Sequence, residues 1–117
     1  MYFYSNKFIA LERAYEAAIL VDPIFQGLVG SRRGLRDQGV RSMESVCLNL
    51  AEGNAKTGKD KVRFFRIALG SSYETNCCLR LVAGYGLVPL EQVERARRTL
   101  DEVQRMTSAI IRRMEAG

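Results

Sequence analysis

Apolar residues recur along this chain at spacings of three and four, in four stretches separated by short polar, glycine-bearing connections. That is the pattern of amphipathic helices. The first stretch starts after Ser5 or Asn6, both good N-caps, and runs through Phe8, Leu11, Tyr15, Ala18 and Ile19. Asp22-Pro23 is expected to kink or interrupt it, because proline lacks the backbone donor and crowds the preceding turn. A second half follows through Phe25 and Leu28, and Gly27, Gly30 and Gly34 mark the first connection. The second helix is expected over 35–52, with Gly39, Met43, Val46 and Leu50 on one stripe and Gly53 as a left-handed C-cap.

The third helix has the clearest start, Thr57 as N-cap with Asp60 three residues on, a variant of the capping box. It is expected to run to Ala83, a rod of roughly 40 Å at 1.5 Å per residue. Its apolar positions sort into two strips, one through Val62, Phe65, Leu69, Tyr73 and Leu79, the other through Phe64, Ile67, Ala68, Cys78 and Val82. A four-helix core needs one stripe from each helix. The second therefore predicts burial against another subunit, since large exposed apolar patches are rare on monomers; the alternative is a helix set deep in its own bundle. The fourth helix begins with Pro89 as its first residue and continues to Glu115. Its seam of Val93, Ala96, Leu100, Val103, Thr107, Ile110 and Met114 is that of a left-handed bundle, and Glu91–Arg95, Glu94–Arg98 and Asp101–Arg105 are spaced as solvent-side pairs. The fold expected is all-α, an antiparallel up-and-down four-helix bundle forming one domain over 1–117 and assembled as a homo-oligomer.

Composition narrows the chemistry. The chain has no histidine, the commonest general acid–base residue, and its internal carboxylates Glu52 and Glu74 are expected to pair with arginines of the third helix. Serines such as Ser71 lack a base, and Cys47, Cys77 and Cys78 have neither the pairing of a disulfide framework nor the spacing of a zinc site. No phosphate loop or dinucleotide fingerprint occurs. We therefore expect no catalytic residue, no metal and no cofactor. Buried thiols in a reducing compartment, no secretory leader and no membrane-length apolar run point to the cytosol.

Charge singles out one place. Lys56, Lys59, Lys61, Arg63 and Arg66, against Asp60, hold +4 of the chain's net +5. Lys59, Arg63 and Arg66 stand at i, i+4 and i+7, so they line one helical face that could neutralise RNA or other nucleic-acid phosphates without reading bases. An ion-pair surface toward solvent, a neighbouring subunit or a protein partner fits the same residues. Asn49 and Glu52, on one face of the second helix, with Gly53, Gly70 and Glu74, read as the joint that sets helices two and three together. Gly70 in mid-helix is expected to allow a close helix approach.

The run Ser45-Val46-Cys47-Leu48-Asn49-Leu50-Ala51-Glu52-Gly53, followed by Arg63-Phe64, Ile67-Ala68-Leu69-Gly70-Ser71 and Glu74, resembles the bacterial four-helix-bundle family of proteins encoded in 23S rRNA intervening sequences. The accessory variability proteins of diversity-generating retroelements are similar in fold. The resemblance covers most of the chain and implies a ring-like pentamer, cytosolic, with no established enzymatic activity; members of the retroelement branch bind reverse transcriptase and nucleic acid through basic surfaces. This chain departs from the pattern at Cys47, where a proline is usual, and at Ala55, where a glycine is usual in a loop one residue longer.

Overall fold

The three-and-four periodicity resolves into four helices. The computed structural model describes residues 8–117, so the expected caps Ser5 and Asn6 lie outside the described residues. The elements are α1 (Ile9–Gln26), a short 3-10 turn (Gly30–Arg32), α2 (Arg33–Asn54), α3 (Gly58–Gly84) and α4 (Leu90–Ala116), with no strand among the described residues. Each helix packs against its neighbours in the chain, and α4 closes back onto α1, as in an up-and-down four-helix bundle. Contacts between α2 and α3 run antiparallel, from Ser42 with Thr75 to Ser45 with Ser71. Those between α3 and α4 do likewise, from Asn76 with Arg97 to Ser72 with Gln104.

One core joins all four helices. Val21, Ile24 and Phe25 of α1, Val46 and Leu50 of α2, Leu79 and Val82 of α3 and Val93, Leu100 and Val103 of α4 are essentially out of water. Burying a side chain of this size stabilises the fold by about 1.5–3 kcal/mol. In α1 the alanines Ala10, Ala14 and Ala17 supply much of the buried face, while Ile19, expected on it, is 72% exposed. Pro23 does not interrupt α1, which continues to Gln26. Its missing N–H deprives one carbonyl of a partner, and the buried Ile24, Phe25 and Leu28 beyond it hold the register.

The two strips of α3 turn out to be the shoulders of one broad buried face. Phe65 and Leu79 from one, Ala68, Cys78 and Val82 from the other, and the small Ser72 and Thr75 between them all face the core. Most of the second strip is thus satisfied within the chain, and Ile67 and Tyr73 are left outside. The α4 seam is as expected through Thr107; then Ile111 takes the buried place expected for Ile110, the drift of about 20° per heptad that a straight helix shows against a 3.5-residue repeat.

Helix ends differ from expectation for local reasons. Gly53 is not a left-handed cap: α2 passes through it to Asn54, and a Cβ there would stand 2.7 Å from the Phe65 ring. The left-handed glycine of this connection is Gly58, at φ +58°. Thr57 is the N-cap of α3, but its side chain makes no capping hydrogen bond, and Asp60 pairs with Arg63 at 3.5 Å instead. Pro89 is the N-cap of α4 rather than its first residue, and its carbonyl accepts from the N–H of Gln92 at 3.1 Å and of Val93 at 3.4 Å.

Candidate functional site

The α2–α3 seam brings the expected joint residues together, though not through the bonds expected. Asn49 turns back along its own helix, its Nδ2 donating to the Ser45 carbonyl at 2.8 Å and to Ser45 Oγ at 3.0 Å. Ser45 Oγ in turn lies 2.7 Å from Ser71 Oγ, so Asn49 acts on α3 through a serine relay. Glu52 pairs with Lys56 at 3.3 Å, one turn along its own chain, and Glu74 accepts from Gln38 Nε2. Neither carboxylate pairs with an arginine of α3 among the described residues. Gly53 gives Phe64 and Phe65 their room, whereas Gly70 is exposed with nothing within 4 Å of where a Cβ would be, so it serves no close approach inside this chain. This seam is a structural joint with a hydroxyl ladder: Thr75 Oγ1 lies 2.8 Å from Ser42 Oγ, and both side chains are buried.

The basic strip is on the surface. Lys59, Lys61, Arg63 and Arg66 all stand at the start of α3, and Lys56 is in the loop before it. Contacts divide the strip. Arg63 lies over the Phe64 ring at 4.4 Å, and Lys56 reaches the same ring at 5.9 Å, so these two lean toward the α2–α3 connection. Arg66 leans the other way and pairs with Glu115 in the last turn of α4. Lys59 lines an open groove with Val62, Met114 and Glu115 and has no carboxylate partner among the described residues. Lys61 approaches the Phe65 ring at 5.9 Å, and Phe65 stacks on Phe8, the N-cap of α1, with ring centroids 5.6 Å apart. A separate group of arginines, Arg32, Arg33 and Arg36, lies at the opposite end of the bundle, where Arg32 covers the Tyr85 ring at 4.0 Å.

Exposed ion pairs such as Lys56–Glu52 and Arg63–Asp60 contribute about 0–1 kcal/mol each, so a polyanion can displace them at little cost. Two further residues, Tyr73 and Arg80, extend the exposed surface of α3. Tyr73, assigned to an apolar strip, is 53% exposed, and Arg80 beyond it is exposed as well. Their placement at successive seven-residue steps from Arg66 was the available signal.

Two of the three thiols are shielded by the fold. Cys78 is buried, which pushes its thiol above the usual range, with Cys77 and Glu74 adding to the effect. Cys47 is pushed up to about 11, by burial first and Glu44 second. Both thiols therefore stay protonated near neutral pH, unlike a nucleophile. No group of residues suited to hold a metal ion occurs among the described residues, and no described helix is long and apolar enough to cross a membrane.

Comparison with known proteins places this architecture. The family model described as 23S rRNA-intervening sequence protein matches residues 6–109. The chain belongs to that family. A solved structure from Bacteroides thetaiotaomicron, a protein of unknown function from the S23 ribosomal protein family, shares the fold with a TM-score of 0.80. It is 23% identical, and the match covers 88% of this chain and 98% of the other. No curated protein matches. Family membership thus accounts for the bundle and for the run from Ser45 to Glu74 that carried the resemblance.

Proposed function

We propose that this chain is a non-enzymatic, cytosolic, self-associating scaffold whose third helix contacts RNA through the phosphate backbone. The observation that carries this reading is the basic cluster at the start of α3, where Lys59, Arg63 and Arg66 are exposed with half-buried Lys56 and Lys61 beside them, and where the cations are bound only by weak surface pairs or by none. The family's name, which ties its members to an intervening sequence of 23S rRNA, makes RNA the first polyanion to test. Backbone contacts of this kind are salt-dependent and nearly indifferent to sequence. Fluorescence anisotropy of a labelled RNA at low and high salt tests it directly. Wild-type protein is expected to bind at low salt and to lose affinity steeply as salt rises, and Arg63→Ala/Arg66→Ala to bind markedly less; equal binding by the two, or none by either, would refute the reading.

Self-association has its own support. Leu48 of α2 is 68% exposed and Ile67 of α3 is 41% exposed, and the antiparallel register set by Ser45 and Ser71 brings them level on the outer side of the seam. An apolar pair beside the exposed Gly70 suits contact with a second copy. The ring-like pentamer is the assembly that the resemblance implies. Light scattering is expected to give a multiple of 13.2 kDa that collapses on Leu48→Glu/Ile67→Glu. A single-chain mass for the wild type would rule this part out. A protein-interaction module remains the second reading, favoured by the ion pairing of Arg66 with Glu115: there, Arg63→Ala/Arg66→Ala would change the mass and leave RNA binding untouched.

A further inference from the structure

Lys59, Arg66, Tyr73 and Arg80 follow one another at intervals of seven residues, all on α3 and all exposed. Seven residues are nearly two turns, so each stands almost directly above the last, displaced by about 20°. The line is roughly 30 Å long at 1.5 Å per residue, with a cation, a second cation, an aromatic ring and a third cation along it. Arg66 pairs with the last turn of α4, and Arg97 of α4 donates to Asn76 Oδ1 at 2.9 Å, so the line runs along the side of α3 that adjoins α4. It is therefore distinct from the side where Leu48 and Ile67 lie.

Around Tyr73 the surface forms an open recess of about 560 Å³, lined by Tyr73, Asn76, Cys77, Arg80 and Leu81. Tyr73 stands 53% exposed in it, with no ring or cation partner among the described residues. Asn76 has its carbonyl oxygen occupied by Arg97, itself steadied by Glu94 at 2.7 Å, which leaves the Asn76 amide N–H groups to donate into the recess. An unpartnered aromatic face beside a fixed amide and a guanidinium can hold a flat ring that carries hydrogen-bond acceptors at its edge. Cations above and below that ring along the same line can hold a phosphate backbone on either side of it.

We propose that α3 binds single-stranded RNA lengthwise, with Lys59, Arg66 and Arg80 on the phosphates and Tyr73 stacking one unpaired base against Asn76. This rests on the RNA reading above and specifies it. A duplex keeps its bases stacked on one another and offers Tyr73 nothing to stack on, so the arrangement selects unpaired RNA.

The test uses the full-length chain and fluorescein-labelled RNA, one an unstructured oligouridine of about twelve nucleotides and the other a blunt duplex of equal length. Stacking of one base is expected to make Tyr73→Ala weaken oligouridine binding by roughly 5- to 150-fold, while Tyr73→Phe keeps most of the affinity. Because Tyr73 carries no charge, Tyr73→Ala should leave the salt slope unchanged, whereas Arg80→Ala should reduce it by about 0.7 for a single strand. Tyr73 is exposed, so thermal unfolding of both tyrosine variants should match the wild type. Tighter binding of the duplex, or oligouridine affinity indifferent to Tyr73→Ala, would overturn this inference and leave the broader RNA reading standing. Absence of binding to either RNA at low salt would overturn both.

Discussion

At the scale of single residues, the structure separates groups that sequence alone presents as equivalent. Cys47, Cys77 and Cys78 differ in environment: Cys77 is exposed, Cys78 is buried and Cys47 is half-buried with its thiol pushed up to about 11. A thiol-specific reagent at pH 8 should therefore modify Cys77 rapidly in the folded protein and the other two only on unfolding; rapid loss of all three thiols would contradict the packing. The sign of the linked pH effect follows. The Cys47 thiol binds its proton more tightly folded than unfolded, so its contribution to stability is intact below the unfolded value of about 9 and is lost as pH rises toward 11. Denaturant midpoints should fall over that window, and fall less in Cys47→Ala. Arg66 makes a second case. Its pairing with Glu115 competes with any phosphate, so Glu115→Gln should tighten RNA binding by a few-fold at low salt, and weaker binding would show that Glu115 positions Arg66 rather than masking it.

At the scale of elements, the glycines are the sharpest probes. A Cβ on Gly39 would stand 2.5 Å from the Phe25 ring and one on Gly53 2.7 Å from the Phe65 ring. Gly39→Ala and Gly53→Ala should each destabilise the bundle by about 1–3 kcal/mol in denaturant unfolding. Gly70→Ala meets open space and should stabilise α3 by about 0.5–1 kcal/mol, unless a second copy packs there, in which case the assembled mass falls. All four helices were legible because apolar spacing of three and four is a property of the chain itself. Their ends were less so: Gly53 carries the mark of a cap, and only the arrival of Phe65 from the next helix shows why glycine is needed there and why α2 runs on to Asn54. The two strips of α3 were legible as a pattern, but that they adjoin in one buried face was not, because Ser72 between them gives no apolar signal yet is buried.

At the scale of the whole molecule, the sequence located the charge and the fold then distributed it. The i, i+4, i+7 spacing identifies Lys59, Arg63 and Arg66 without a structure, since it depends on one helix alone. That Arg63 turns to Phe64 and Arg66 to Glu115 depends on neighbours 49 residues away or on local stacking, and neither leaves a mark in the spacing. The resulting division of surfaces is the useful outcome. The outer side of the α2–α3 seam exposes Leu48 and Ile67, the surface proposed for self-contact, while the α3 line beside α4 exposes cations and a tyrosine, the surface proposed for RNA.

Photo-crosslinking tests that division most directly. An oligouridine carrying 4-thiouridine, irradiated with the full-length protein at low salt and mapped by peptide mass spectrometry, is predicted to mark α3 between Lys59 and Arg80, with Tyr73 among the modified residues. Crosslinks confined to α1 and α2, or none under conditions where the RNA is bound, would contradict the account.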